Sequence, residues 1–125
     1  MSKQITKAEF QIMDALWAQS PLAAADVADR LADETGWSLK TVKTLLSRLV
    51  EKGAVTHTTE GRRFLYSPKV SRDSYARRAT KRLADQLFEG RAAPLVAHLA
   101  EGDGLSKADL DELALLIEEL KRDSN

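Results

Sequence analysis

The chain contains no cysteine. That absence removes disulfides, thiolate metal sites and thiol nucleophiles together. Prolines number only three and aromatic residues make up 6% of the 125 positions. No apolar run approaches the roughly 20 residues that cross a bilayer. The chain starts Met1-Ser2-Lys3-Gln4 with no apolar stretch of the signal-peptide kind after it, so a cytoplasmic protein without stable membrane association is expected. Gly-rich phosphate cradles are missing as well. The two histidines, His57 and His98, stand in different regions, and neither has an acid and a nucleophile at a catalytic spacing. Asp26, Asp29, Asp33 and Glu34 fall on the outward side of a helical segment and read as a solvated face rather than a cation site. No catalytic residue, metal site or cofactor is therefore assigned, and an enzyme is not expected.

Net charge is the remaining absence, since 19 basic side chains balance 19 acidic ones. Taken alone, neutrality argues weakly against a polyanionic partner. The distribution argues the other way. Residues 38–82 carry 12 Lys and Arg against 3 acids, whereas residues 1–37 carry 3 against 6 and residues 83–125 carry 4 against 10. A basic middle between acidic ends makes a localised surface for a polyanion, and the local field outweighs the total.

The apolar pattern supplies the architecture. Hydrophobic residues form 43% of the chain, enough for one ordinary domain or a small domain with an appendage. Thr6-x-x-Glu9 is a capping box opening an amphipathic helix that carries Phe10, Met13 and Trp17, with Ile12 and Leu16 beside them. Ser20-Pro21 ends it. A second helix is expected from Ala23 to Glu34, with Val27, Ala28 and Leu31 inward and Gly36 as its stop. Ser38 caps a third that reaches Lys52, followed by Gly53, with Val42, Leu45, Leu46 and Leu49 as its stripe. Trp17 and Trp37 read as packing anchors. The period then changes. Val55–Thr59 and Phe64–Ser67 read as strands around a turn at Glu60-Gly61-Arg62. Beyond Val70 three more helices are expected: Ser71 to Phe88, Ala92 to Ala100 and, after a loop at residues 101–104, one capped by Ser106.

Helix, helix, helix, strand, turn, strand is the order of a winged helix-turn-helix. The expected fold is mainly α: a winged-helix domain over residues 1–70 and a three-helix dimerisation region over residues 71–125. In the last helix Leu110, Leu113, Ile117 and Leu120 recur at the spacing of a packing seam, with Leu116 widening it. This half is too thin for a core of its own, so a second copy is expected to cover the seam. Leu83, Leu87, Leu95 and Leu99 are expected to join that homodimer interface.

The third helix carries the chemistry. Opposite its apolar stripe stand Lys40, Thr41, Lys43, Thr44, Ser47 and Arg48. Threonine methyls meet thymine methyls, hydroxyls bond base edges, and cationic side chains donate to guanine or phosphate. Residues of the first turns reach bases and later ones meet the backbone. Lys40, Thr41 and Thr44 are accordingly assigned to base readout in double-stranded DNA. Ser38, Lys43, Ser47 and Arg48 are assigned to phosphates, together with Arg62 and Arg63 at the hairpin tip. A winged-helix module that binds only protein is the competing reading, since fold alone does not fix function. Such a module would have a neutral or apolar face here.

The run Trp37–Ala54, with Ser38-Leu39-Lys40-Thr41-Val42-Lys43-Thr44 at its head, resembles the core signature of the BlaI/MecI/CopY repressors. So do Glu60–Tyr66, Ala8-Glu9-Phe10, Leu16-Trp17, Leu87–Gly90 and Leu105-Ser106. The resemblance covers nearly the whole chain. It implies a bacterial homodimeric repressor acting on inverted TACA/TGTA-like operator elements. In one branch it also implies a membrane-bound sensor protease whose signal ends in cleavage of the dimerisation region. The bond cleaved there, typically Asn-Phe, falls at His98-Leu99, where this chain departs from the family. The cysteine-dependent copper mode of another branch is excluded by composition.

Overall fold

A computed structural model describes residues 4–102 and 104–124. Among these, six helices and three strands follow in order. They are α1 (Lys7–Ala18), β1 (Leu22–Ala23), α2 (Ala24–Thr35), α3 (Leu39–Glu51), β2 (Val55–Glu60), β3 (Arg63–Pro68), α4 (Arg72–Phe88), α5 (Ala92–Glu101) and α6 (Lys107–Asp123). Contacts divide the chain into two compact units, one through Arg77 and one from Arg78, so that α4 begins in the first and ends in the second.

In the first unit, α1 starts at the anticipated capping box. Thr6 Oγ1 accepts the Glu9 N–H at 3.1 Å, and Glu9 Oε1 accepts the Thr6 N–H at 2.8 Å. Ile12, Met13 and Leu16 of α1 close against Val27 and Leu31 of α2, against Val42, Leu45, Leu46 and Leu49 of α3, and against Val55 and Tyr66 of the sheet. Each fully buried aliphatic side chain of this set contributes about 1.5–3 kcal/mol. Phe10 and Trp17, expected on the same inward face, are only half-buried. Trp17 donates from Nε1 to the Val70 carbonyl at 2.9 Å, and both rings pack on Tyr75 at 5.5–5.6 Å. Arg72 lies over the Trp17 ring and pairs with Asp14, which ties the start of α4 to this unit. Trp37 also packs against the core.

The sheet is antiparallel with strand order β1-β3-β2. β2 and β3 form the expected hairpin, in register from Val55↔Pro68 to Glu60↔Arg63. β1 was not expected. The sequence reading starts the second helix at Ala23, but Leu22 and Ala23 pair with Tyr66 and Leu65 on the free edge of β3. The helix then begins one residue later, and the Asp26 carboxylate accepts the Ala23 N–H at 3.3 Å.

The second unit has a different character. Among its described residues only Ala84 is buried. Glu89 and Gly90 adopt positive φ, and the Gly90 N–H bonds back to the Ala84 carbonyl, ending α4. Of the loop expected at residues 101–104, Glu101 belongs to α5 and Asp103 lies outside the described residues, as do Met1, Ser2 and Lys3. Gly104 donates to the Leu99 carbonyl at 3.1 Å; a Cβ there would stand 2.6 Å from that oxygen, so the close approach requires glycine. Ser106 and Asp109 cap α6 reciprocally at 3.0 Å.

Candidate nucleic-acid interface

α3 sorts its side chains cleanly. Val42, Leu45, Leu46 and Leu49 are buried, while Lys40, Thr41, Lys43, Thr44, Ser47 and Arg48 are all exposed. Ser38 is the N-cap, and its Oγ accepts the Thr41 N–H at 3.2 Å. The first turn contains no acid, so the positive end of the helix dipole faces solvent uncompensated. Leu39, Lys40, Lys43, Thr44 and Ser47 line an open groove of about 440 Å³. Leu39, to which the sequence assigns no part in the site, is 42% exposed beside these cations. Its place one residue after the cap is what puts it there.

Hydroxyl geometry separates the two threonines. Ser38 Oγ donates to Thr41 Oγ1 at 3.2 Å, which leaves the Thr41 proton free to be donated outward. Thr44 Oγ1 donates to the Lys40 carbonyl at 3.0 Å. Its hydroxyl proton is thus engaged, and what it offers outward is a methyl group and oxygen lone pairs. Among the described residues no ion pair engages Lys40, Lys43, Arg48 or Arg62.

At the hairpin tip Arg62 and Arg63 are exposed, and Gly61 takes φ 64°. Their situations differ. The Arg63 guanidinium donates to Glu60 at 2.9 Å, and that hydrogen bond with its charge raises the pKa of Arg63. On the other face of the hairpin, His57 stacks on the half-exposed Phe64 at 4.6 Å.

The residues assigned to a dimer interface lie in the second unit. Leu83, Leu87, Leu99, Leu110, Ile117 and Leu120 are exposed, and Leu95 and Leu113 are half-buried. Val96, Leu115 and Leu116 are exposed with them; Val96 and Leu115 were not named in the sequence reading. Leu87, Phe88, Leu95, His98 and Leu99 line a groove of about 410 Å³. The His98-Leu99 bond sits inside helical α5, with the His98 ring 5.3 Å from Phe88. No described helix is long and apolar enough to cross a membrane.

The family model for the penicillinase repressor matches residues 5–119. The penicillinase repressor of Bacillus licheniformis is 33% identical over 118 residues, covering 94% of this chain and 92% of that protein. The methicillin resistance regulatory protein MecI of Staphylococcus aureus is 26% identical over 110 residues, covering 88% and 89%. Among solved structures, the monomeric form of Bacillus licheniformis BlaI in complex with the blaP half-operator matches at 37% identity and a TM-score of 0.51. The match covers 60% of this chain and 92% of that one.

Proposed function

Because this chain belongs to the penicillinase repressor family, we propose that it is a DNA-binding transcriptional repressor that grips a palindromic operator as a homodimer. The observation that carries the reading is the outer face of α3: six polar or cationic side chains, all exposed, with no acid in the first turn. A helix face of that composition fits a major groove, where phosphate contacts set position and base-edge contacts set sequence. Within it, Lys40, Thr41 and Thr44 read bases. Ser38, Lys43, Ser47 and Arg48 hold the backbone with Arg62 and Arg63 from the wing. The half-operator complex of the BlaI relative supports the same use of the same domain.

Residues 1–70 act as the reading domain and residues 71–125 as the dimerisation region. One reading domain covers half an operator, and coupling two of them multiplies affinity through effective concentration. Leu83, Leu87, Leu95, Leu99, Leu110, Leu113, Ile117 and Leu120 supply the seam, because a monomer would leave most of them in water. Operator elements of the TACA/TGTA kind and release through a membrane sensor protease follow the family pattern. Cleavage at His98-Leu99 would cut the dimerisation region, but the bond lies in α5, so it becomes available only when that helix opens locally.

Selection from a randomised duplex pool, with sedimentation of the bound species, tests this. The expected result is enrichment of an inverted repeat bound by two copies of the chain. Retention of duplexes without enrichment, at an affinity that vanishes with salt, would overturn it.

A further inference from the structure

Glu9 is the one buried charged or polar residue among the described ones, and it pairs with Lys52 at the C-terminal end of α3, opposite the end that Ser38 caps. Its Oε1 accepts from the Thr6 N–H at 2.8 Å and from Lys52 Nζ at 2.5 Å. Lys52 Nζ also donates to the Gln4 carbonyl at 2.8 Å. Glu9 Oε2 is buried without a hydrogen-bond partner among the described residues. Lys52 is the C-cap of α3, its own N–H bonded to the Arg48 carbonyl and the following Gly53 N–H to the Val50 carbonyl. The Ala54 N–H returns to the Leu49 carbonyl and the chain enters β2 at Val55. One contact spanning 43 residues thus joins the start of α1, the end of the DNA-facing helix and the base of the wing.

Stability does not account for such a pair. Removing two charges from water roughly cancels their attraction, and apolar residues of similar volume often do as well or better. Direction accounts for it better. The inward stripe of α3 is entirely aliphatic; the hydrophobic effect that holds it has no direction, so steric interlock alone sets its rotation and height, and aliphatic cores tolerate repacking. An ammonium held between two fixed acceptors does fix them. Base-edge hydrogen bonds weaken steeply with misalignment, so a small rotation of α3 is felt at Lys40, Thr41 and Thr44.

We propose that the buried Glu9–Lys52 pair is a positioning device for α3 and the wing base, and that it sets operator discrimination rather than folding stability. The proposal rests on the reading of α3 as the DNA-reading helix. The test compares the parental chain with the apolar double variant Glu9→Leu/Lys52→Met and with Lys52→Arg. Lys52→Arg keeps the charge but replaces a point donor by a longer planar fork. Three quantities are measured: urea unfolding, α3 backbone and leucine methyl NMR shifts without DNA, and affinity for the duplex the parent enriches from a random pool against a scrambled duplex. The expected double variant is as stable as the parent or more so, shows shifted α3 resonances, and loses about tenfold in discrimination with scrambled-duplex affinity nearly kept. Lys52→Arg is expected to fold and lose severalfold. A double variant that fails to fold, one with parental α3 resonances, or one with the parental discrimination ratio overturns the proposal. A parent that enriches no duplex overturns the repressor reading instead, while the α3 resonances still decide the positioning claim.

Discussion

The first unit hides Ile12, Met13, Leu16, Val27, Val42, Leu46 and Leu49 completely, whereas the second buries only Ala84 among its described residues and leaves Leu87, Leu115 and Leu120 more than half exposed. Both have similar raw material, amphipathic helices, with a reciprocal cap on α1 in the one and on α6 in the other. They differ in closure. Three helices and a sheet around one centre leave no stripe without a partner, while three helices in a unit of fewer than 50 residues leave theirs open. Chains that small seldom bury enough to be stable alone, and oligomerisation is one of the usual remedies. The comparison therefore assigns different sources of stability: internal packing for the first unit, and on the proposed reading a second copy for the second.

The sharpest way to break that contrast is to charge the open seam. Ile117→Asp or Leu113→Asp should yield monomers by sedimentation, with affinity for the full operator reduced on the order of a hundredfold or more. The first unit should keep its own melting transition. A monomeric Ile117→Asp protein with parental operator affinity would refute the linkage of dimerisation to binding. The converse change is Leu49→Ala, which opens a cavity in the closed core. It should destabilise the first unit by about 2–5 kcal/mol in urea, by an amount independent of protein concentration. Concentration dependence in that variant would mean that the first unit also leans on the partner.

Much of this was readable from residue order because it is local. The Thr6-Glu9 and Ser106-Asp109 boxes, the Ser38 cap and the Val42–Leu49 stripe each lie within one or two helical turns, where spacing dictates geometry. Nonlocal features were not readable. β1 is two residues long and exists only because the edge of β3 is there to pair with it. The Glu9–Lys52 pair joins residues 43 apart, and nothing in the spacing of Thr6 and Glu9 announces that the same carboxylate caps α1 and receives Lys52. The half-burial of Phe10 and Trp17 likewise depends on Tyr75, far along the chain. The assigned DNA-facing side chains were legible as an exposed face; the different hydroxyl states of Thr41 and Thr44 were not, since they follow from rotamers.

That hydroxyl difference sharpens the contrast within the first unit between the face that packs and the face that reads. Thr41→Ala and Thr44→Ala should each weaken operator binding by about 1–3 kcal/mol while sparing scrambled DNA. Thr44→Ser should lose part of what Thr44→Ala loses, because the Thr44 proton is already donated to Lys40 and serine keeps the outward lone pairs but not the methyl. Thr41→Ser should lose less, its proton being free. Equal losses on operator and scrambled duplexes would remove both residues from base readout.

Acid gives a smaller, graded separation of the two units. Burial by itself raises the Glu9 carboxyl, but hydrogen bonds from Lys52 and Thr6 and the Lys52 charge outweigh it, holding the group below its ordinary 4.5. A depressed carboxylate contributes its stabilisation in full above that value and loses it as pH falls through the folded-state pKa. Urea stability of the first unit should therefore hold between pH 7 and 5 and decline below about pH 4.5. Glu9→Gln should flatten that decline at lower starting stability. A parental profile with the same slope as Glu9→Gln would show that other carboxylates govern acid unfolding.

The finest comparison is between the two arginines at the hairpin tip. Arg62 is exposed and no ion pair holds it among the described residues, whereas Arg63 donates to Glu60. On the proposed reading both meet phosphates, so each replacement by Ala should lower affinity on every sequence and leave discrimination intact. Counterion release makes the distinction measurable. Losing one phosphate contact should make the log K against log salt slope shallower by about 0.9. Arg62→Ala should show nearly that change. Arg63 has to leave Glu60, or share its charge with it, to reach a phosphate, so Arg63→Ala should change the slope by less. It should still cost affinity, because Glu60 then faces the backbone uncompensated. Glu60→Ala follows as the decisive control: releasing Arg63 should raise affinity on operator and scrambled duplexes alike and steepen the slope. If Glu60→Ala leaves affinity and slope where they were, the hairpin tip stays in solvent and α3 carries the backbone contacts alone.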